Sequence, residues 1–317
     1  MKKYTIIAAF CTWAFFLPGC LETVTTDETT TTTAIINVGP EFSRDSANLY
    51  FSSNRAGNGN LYRLSLLTTS PVALTTYTAD EWTCRGGSNP DGTSILIETN
   101  ASGNFSLASF NPTSAVYTTV LYTAGVNYRY ASYSPDGTKI CYSKLTVGSY
   151  KIFVANADGT SPKQISSGTG NDYKPSLNSA GKVVFYRVVN NQADLYLVDT
   201  NDTNLTEQNL TSTTSDASYH DETDPVFSNS VTDRIVFVQG TIGGVGRIVA
   251  MQTDRTSSEV LVGTSGEYLD VALSYNGQRM AYSYRATPGS GNIDIYLANA
   301  SGQLLKRLTY GAGDGDL

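Results

Sequence analysis

A pair of adjacent residues that combines carboxylates, amides and aromatic rings recurs five times along the chain, about six or seven residues before a sharp turn. The five pairs are Glu81-Trp82, Asn127-Tyr128, Asp172-Tyr173, Asp221-Glu222 and Glu267-Tyr268. Carboxylates pair with cations and aromatic faces attract them, so this set suits a basic peptide or a protein tail. The faces of Trp and Tyr would equally suit a sugar.

The same residue types allow other roles. Paired carboxylates support acid–base catalysis or hold a calcium ion when their separation is right, and the sequence does not supply that separation. Repeated aromatic residues also pack between neighbouring structural repeats. Arg85 and Arg129 lie close to two of the pairs and are placed to neutralise their acids. Binding, chemistry and packing therefore all remain open on the sequence alone.

Recognisable catalytic motifs are absent from the sequence. No Gly-x-Ser-x-Gly nucleophile elbow occurs, and the single histidine, His220, stands before Asp221 in a polar segment. One histidine disfavours both a zinc enzyme and a Ser-His-Asp hydrolase. The formal net charge of −7 disfavours nucleic acid as a partner. We therefore predict no catalytic residues and no cofactor, with a calcium ion at the acidic pairs as the one exception.

The chain of 317 residues repeats itself from about residue 36 onwards. The clearest copy is Ser134-Pro135-Asp136-Gly137-Thr138-Lys139-Ile140, and Asn89 begins a second copy. Degenerate copies begin at Ser43, Asn178, Ser228 and Ser274, which gives spacings of 44 to 50 residues. Self-similarity at such a period is typical of repeat architectures.

Each repeat has the same internal order of strands and turns. A short strand ends at the Ser or Asn, Pro-Asp-Gly turns the chain, and two strands rich in β-branched and aromatic residues follow before an outer strand. Four strands in about 46 residues are typical of a β-propeller blade. We therefore predict an all-β fold, a six-bladed β-propeller over residues 36–317, in which the five pairs ring one mouth of the central channel.

The repeat resembles that of the TolB propeller, both in Ser134 to Ile140 and in the segment from Phe51 to Tyr62. It is also similar to the propellers of prolyl oligopeptidase-type and dipeptidyl-peptidase-type enzymes. TolB proteins carry an additional amino-terminal α/β domain, and those peptidases a hydrolase domain, neither of which resembles any segment here. TolB-like propellers that act as lyases hold a metal with several histidines, and the single His220 departs from that design.

The amino terminus has the pattern of an export signal. Two lysines precede a run of thirteen uncharged residues, which is too short to span a bilayer as a helix. The run ends in Leu17-Pro18-Gly19-Cys20, which resembles the lipobox of bacterial lipoproteins and implies lipid on Cys20. We therefore predict a signal peptide over 1–19, a Thr-rich tether over 20–35 and attachment to a membrane, with the outer membrane favoured by Leu21.

Two further sets of residues have ordinary structural explanations. The Asx-rich segments 156–159 and 199–204 lack the glycine at the sixth position and the closing glutamate at the twelfth position of a calcium loop, so we interpret them as turns. Cys84 and Cys141 occupy different strands of neighbouring repeats, and we expect two buried thiols rather than a disulfide.

The sequence thus favours a lipid-anchored, monomeric propeller of the bacterial envelope that binds a protein or peptide without catalysis. The alternative is a ligand-sensing or carbohydrate- or peptide-processing propeller that uses the paired carboxylates or a bound metal.

Overall fold

The computed structural model describes residues 23–25, 31–68, 70–212, 221–231, 233–240, 244–263 and 265–311. Strands β1 (Thr23–Thr25) and β2 (Thr31–Thr33) pair with each other as an antiparallel ribbon. The remaining described strands form six four-stranded antiparallel sheets, each built from consecutive segments of the chain. The predicted all-β, six-bladed propeller is confirmed.

Every blade runs from an innermost strand at the channel to an outermost strand at the rim of the disc. Blades 1 to 3 are β3 (Asn37–Phe42), β4 (Asn48–Ser53), β5 (Asn60–Ser65), β6 (Pro71–Ala73); β7 (Glu81–Ser88), β8 (Ile95–Thr99), β9 (Ser106–Asn111), β10 (Val116–Leu121); β11 (Tyr128–Tyr133), β12 (Lys139–Leu145), β13 (Tyr150–Asn156), β14 (Lys163–Gln164). Blades 4 to 6 are β15 (Asn171–Leu177), β16 (Lys182–Val189), β17 (Gln192–Asp199), β18 (Glu207–Asn209); β19 (Asp221–Phe227), β20 (Arg234–Gly240), β21 (Gly246–Gln252), β22 (Ser258–Val262); β23 (Glu267–Leu273), β24 (Arg279–Arg285), β25 (Asp294–Asn299), β26 (Leu304–Arg307).

The turn after each innermost strand is fixed by the anchor residue of the repeat. In blade 3 the Ser134 hydroxyl donates to Asp136 Oδ1 (2.6 Å) and accepts the backbone N–H of Lys139 (3.0 Å). Gly137 takes a φ of 73°, in the left-handed region that glycine adopts without strain. The Ser-x-Asp-Gly spacing therefore closes the turn locally and starts the second strand in register.

The hydrophobic core is divided among the six interfaces between blades. Each buried cluster combines side chains from two neighbouring blades, such as Cys141 and Ile152 of blade 3 with Phe185 and Val198 of blade 4. The largest of these side chains, Phe185 included, are fully buried. Because every blade has an apolar face toward each neighbour, the ring is stabilised by packing around its whole circumference.

The ring closes without exchange of a strand between blade 1 and blade 6, because each sheet is assembled from its own consecutive strands. Ile36 instead forms a parallel bridge with Ile293, and the backbone N–H of Asn37 donates to the Ile293 carbonyl (3.0 Å). The Asn37 amide also donates to Asp294 Oδ1 (3.3 Å). An apolar cluster that includes Phe51 of blade 1 and Ile295 of blade 6 completes the seam.

Cys84 and Cys141 are buried free thiols, as expected from their strand positions. The Asx-rich segments are turns, in which Asp199 and Asp158 accept backbone N–H groups two residues ahead. The signal peptide, Cys20 and His220 lie outside the described residues, and the boundaries predicted for the signal and tether stay predictions. Within the described residues, no helix has the length and apolar character needed to cross a membrane.

Candidate functional site

The residues of the five pairs lie at the beginning of the innermost strands, or in the case of Asn127 just before one. The structure therefore brings them together at one mouth of the channel, which we call the upper mouth. Their register is not uniform. Across from the second strand, the equivalent positions are Asn37, Glu81, Tyr128, Asp172, Glu222 and Tyr268. Two of the pairs are thus displaced by one residue relative to the others, which sequence spacing did not reveal.

Most members of the pairs are buried. Seven of them have relative exposures of 9% or less, namely Glu81, Tyr128, Asp172, Asp221, Glu222, Glu267 and Tyr268. Trp82, Asn127 and Tyr173 are half-buried. Direct contact with a partner at this mouth is therefore available to the half-buried residues, while the acids lie beneath them.

The buried acids join one blade to the next through hydroxyl groups, an arrangement that we call the latch. In blade 1, Thr75 Oγ1 accepts the backbone N–H of Leu61 (3.0 Å) and donates to Glu81 Oε2 of blade 2 (3.1 Å). In blade 3, Ser166 Oγ donates in the same way to Asp172 Oδ2 of blade 4 (2.6 Å). In both blades, the residue at this position therefore forms a hydrogen bond across the blade interface.

The latch uses different groups at two other interfaces. Between blades 2 and 3, the hydroxyls of Thr123 and Tyr128 lie 2.9 Å apart. At the seam, Thr309 Oγ1 donates to Asp294 Oδ1 (2.9 Å), the same oxygen that receives the amide of Asn37. A Ser or Thr a few residues before the inner strand, as at Thr75, Thr123 and Ser166, was the signal in the sequence that would have assigned these positions to the blade interfaces.

The latch acids differ in whether an arginine neutralises their charge. Arg187 binds both oxygens of the latch acid Asp172 (2.6 and 3.0 Å). Outside the latch, Glu267 Oε2 accepts two hydrogen bonds from Arg285 of the same blade (2.8 and 2.5 Å). Glu81 and Glu222 have no arginine among their hydrogen-bond partners in the described residues, and burial raises the pKa of each to about 7.

The accessible part of the upper mouth is mainly aromatic. Tyr173 lies within 5.9 Å, between ring centroids, of Tyr130, Tyr150 and Tyr186. All four rings are half-buried, as is Trp82 on blade 2. Tyr130 and Tyr150 were not predicted from the sequence to lie at this mouth. Tyr130 reaches this cluster from a bulge where its φ is 57°. A tyrosine in the sequence does not predict a positive φ.

Charged side chains from four blades meet at the channel axis below the upper mouth. Lys174 Nζ contacts Asp224 Oδ1 (2.7 Å) and Asp270 Oδ1 (3.0 Å). Arg85 Nε contacts Asp224 Oδ1 (3.1 Å), and Asp270 Oδ2 accepts the backbone N–H of Gly39 (3.1 Å). We call this group the axial network. It fills the channel between its two mouths.

The axial network contains two cations and two anions. Burial alone would raise the pKa of Asp270, but the charges of Lys174 and Arg85 outweigh burial and hold it at about 2. For Asp224 burial prevails and raises the pKa to about 6. Arg85 therefore does neutralise an acid, although not one of the five pairs, and Arg129 pairs with Glu98 of strand β8.

The opposite end of the channel opens into a funnel lined by residues of all six blades, which we call the lower mouth. It contains about 670 Å³ of empty space that is continuous with solvent. Glu41 lies in its wall, where both carboxylate oxygens accept backbone N–H groups, from Gly86 (2.7 Å) and Ser88 (3.0 Å). Burial raises the pKa of Glu41 to about 7.

Calcium at the paired acids stays a prediction. Among the residues that the structure describes, no group of three or more His, Cys, Asp or Glu is arranged to hold a metal ion. Among the acids that would have contributed, Glu81 and Asp172 are engaged in the latch, Asp221 accepts the backbone N–H of Ala193, and Glu267 accepts from Arg285.

The chain matches no known family model and no curated protein. Its structure aligns with TolB from Acinetobacter baumannii with a TM-score of 0.67 at 15% identity, over 82% of this chain and 62% of that one. The fold is that of the TolB propeller. A protein from Agrobacterium tumefaciens described as TolB gives a TM-score of 0.66 at 14% identity, over 78% of this chain and 87% of that one.

Enzymes share the propeller as well. Oligogalacturonate lyase from Vibrio parahaemolyticus aligns with a TM-score of 0.56 at 13% identity, over 84% of this chain and 75% of that one. This chain spans less than two thirds of the length of the Acinetobacter TolB. At these identities the similarity to TolB establishes the fold and leaves the function to the geometry of the two mouths.

Proposed function

We propose that this chain is a lipid-anchored, monomeric propeller of the bacterial envelope that binds a protein or peptide at its upper mouth and catalyses no reaction. One observation carries the proposal: the acids of that mouth are buried, while aromatic side chains of the same mouth stay half-exposed. Such a surface is suited to contact rather than to proton transfer.

The aromatic side chains of the upper mouth have the properties of binding anchors. Trp82, Tyr130, Tyr150 and Tyr173 offer large apolar faces with polar edges, a residue type enriched among interface residues that dominate binding energy. Tyr173 is held by rings on three sides, and Trp82 belongs to the strand that Glu81 and Thr75 fix. Little side-chain entropy is lost when anchors are already held in place.

The catalytic alternative would rest on Glu81 and Glu222, whose raised pKa values are typical of general acids and bases. Both side chains are only 1% exposed, so a substrate at the mouth does not reach them. Thermal unfolding with calcium, manganese and oligosaccharides tests this alternative. A stabilisation by any of them that Glu81→Gln or Glu222→Gln abolishes would favour it over the binding proposal.

The anchor is tested separately from the binding site. In the producing bacterium, the full-length chain should sediment with membranes, and mass spectrometry should find acyl chains on Cys20. The Cys20→Ser variant should move to the soluble fraction. A Cys20→Ser variant that sediments as before would contradict lipid anchoring without affecting the proposed binding site.

Binding at the upper mouth is tested by in-cell crosslinking and affinity capture of the full-length chain. Trp82→Ala removes an anchor at the mouth, and Tyr77→Ala removes an aromatic side chain, 42% exposed, outside the set that forms the mouth. We expect a crosslinked protein that is retained by Tyr77→Ala and lost, at least tenfold, with Trp82→Ala. Equal recovery with both variants, or no crosslinked protein with the wild type, would contradict the proposal.

A further inference from the structure

The lower mouth is surrounded by one repeated position, the residue directly after the anchor of each turn. In the six blades this position is occupied by Arg44, Pro90, Pro135, Ser179, Asn229 and Tyr275. Five of these residues line the funnel, all except Ser179. Blades 2 and 3 keep the proline that suits the turn, whereas blades 6 and 1, which are neighbours across the seam, carry tyrosine and arginine.

These two departures from the repeat are in contact. The guanidinium of Arg44 lies over the ring of Tyr275, across the seam between the first and last blades. One of its nitrogens, Nη1, is buried and has no hydrogen-bond partner among the described residues. Partial burial lowers the pKa of Arg44, and no acid near it counteracts that effect within the described part of the chain. A buried guanidinium N–H without an acceptor is a costly feature that a bound acceptor would relieve.

The acid in the funnel wall, Glu41, already has hydrogen-bond partners. Glu41 accepts two backbone N–H groups, and among the described contacts it forms no ion pair with Arg44. Arg44 is therefore the cation of the funnel, and the axial network above contributes no net charge.

Apart from Arg44 and Glu41, the side chains of the funnel wall are apolar or carry neutral hydroxyl or amide groups. Phe42, Leu177 and Phe227 are buried side chains in this wall, and Val226 and Leu273 add further apolar surface. A funnel with one cation and largely apolar walls is matched by a ligand with one anionic end and an apolar stem. Carboxylates fit the planar guanidinium through two parallel hydrogen bonds.

We propose that the lower mouth binds a carboxylate on an apolar stem, with Arg44 held by Tyr275 as the residue that receives the carboxylate. The ligand chemistry is shared by the carboxyl terminus of an apolar peptide and by a small aliphatic acid. This site is separate from the upper mouth, so its failure would leave the proposed function untouched.

The test is calorimetric titration of the full-length chain with three probes. These are acetyl-Ala-Ala-Leu with a free carboxylate, the same tripeptide as its carboxyl-terminal amide, and 4-methylpentanoate. We expect the free tripeptide or the small acid to bind in the millimolar range or tighter, and the amide to bind at least tenfold more weakly than the tripeptide acid. Tighter binding of the tripeptide would identify a peptide terminus as the ligand, and tighter binding of 4-methylpentanoate a free acid.

Two arginine substitutions distinguish the site from nonspecific attraction. Arg44→Gln should weaken carboxylate binding at least tenfold, whereas Arg279→Gln, at an exposed arginine of blade 6 that does not line the funnel, should leave it unchanged. Thermal unfolding verifies that both variants fold. Equal affinity for acid and amide, an unchanged affinity in Arg44→Gln, or no binding of either carboxylate at millimolar concentration would overturn the proposal.

Discussion

The two mouths of the channel use the same repeat in opposite ways. At the upper mouth, the equivalent positions of neighbouring blades carry groups that hydrogen-bond across the interfaces, and these groups are buried. At the lower mouth, the position after each turn anchor is occupied by six residues of five types, and Arg44 keeps a buried N–H without a partner. The comparison indicates that regular positions stabilise the ring, whereas positions that depart from the repeat are available for ligands.

The largest effect is expected at the axial network, which separates the two mouths. Lys174→Met removes the cation between Asp224 and Asp270 and leaves two buried carboxylates with only Arg85 to compensate them. Breaking a buried ion pair from one side costs about 3–5 kcal/mol. Urea unfolding monitored by circular dichroism should show a loss of that size.

Lys182→Met is the matched control, because Lys182 pairs with Asp233 where both side chains are about 30% exposed. An exposed pair contributes about 0–1 kcal/mol. If the two substitutions destabilise the chain equally, the axial network has no special role in holding the blades together.

A smaller loss is expected from the latch. Thr75→Val removes the hydroxyl that accepts the N–H of Leu61 and donates to Glu81, which leaves buried polar groups without partners. The expected cost is about 1–3 kcal/mol of unfolding free energy. Thr118→Val, at an exposed position of the outer strand β10, should change it by less than about 0.5 kcal/mol. If Thr75→Val is as stable as Thr118→Val, the hydrogen bonds of the latch do not stabilise the chain.

The latch also predicts a dependence on pH. The pKa of Glu81 is raised to about 7 in the folded chain, so the folded state binds a proton more tightly than the unfolded state. The resulting stability is present at pH 5 and is lost as the pH rises through 7. Glu81→Gln keeps an acceptor for Thr75 without the charge, and should therefore raise the unfolding free energy at pH 8 by about 1–2 kcal/mol.

The same variant should leave stability at pH 5 within about 0.5 kcal/mol of the wild type, since Glu81 is then protonated. Glu259→Gln, at a side chain that is 62% exposed, serves as the control and should show no such difference between pH 5 and pH 8. If the unfolding free energy of Glu81→Gln equals that of the wild type at both pH 5 and pH 8, the Glu81 carboxylate is not buried in the latch.

The smallest effect on stability is expected at the lower mouth. Arg44→Gln removes a guanidinium that forms no ion pair in the described chain, so the unfolding free energy should change by less than about 0.5–1 kcal/mol. Differential scanning calorimetry measures this directly. If Arg44→Gln lowers the unfolding free energy as much as Lys174→Met does, Arg44 stabilises the fold. That result would contradict the view that positions departing from the repeat are available for ligands.

The fold was predictable because its signals are local. Ser134 to Gly137 close a turn within four residues, and the spacing of such turns reports the blade directly. The axial network was not predictable, because Lys174 meets Asp224 and Asp270 from positions 50 and 96 residues away. Their side chains reach the axis through bulges, with a φ of 48° at Lys174 and 55° at Asp224, that no residue type requires.

The candidate site was predicted in part. The spacing located the five pairs at one mouth, but it did not reveal that Glu81 and Asp172 turn into the blade interface while Trp82 and Tyr173 remain half-exposed. Alternation along a strand sends neighbours to opposite faces, and a displacement of one residue reverses which face is which. The bulge in every innermost strand makes that displacement invisible in a single sequence.

Binding at the upper mouth is tested most directly by photocrosslinking inside the producing cell from single positions of the full-length chain. A photoreactive amino acid in place of Trp82 reports on the upper mouth, and one in place of Tyr77, which is 42% exposed, reports on a more accessible aromatic position outside that set. We predict a discrete protein adduct from position 82 and none from position 77. Adducts of equal yield from both positions, or none from position 82, would contradict binding at the upper mouth.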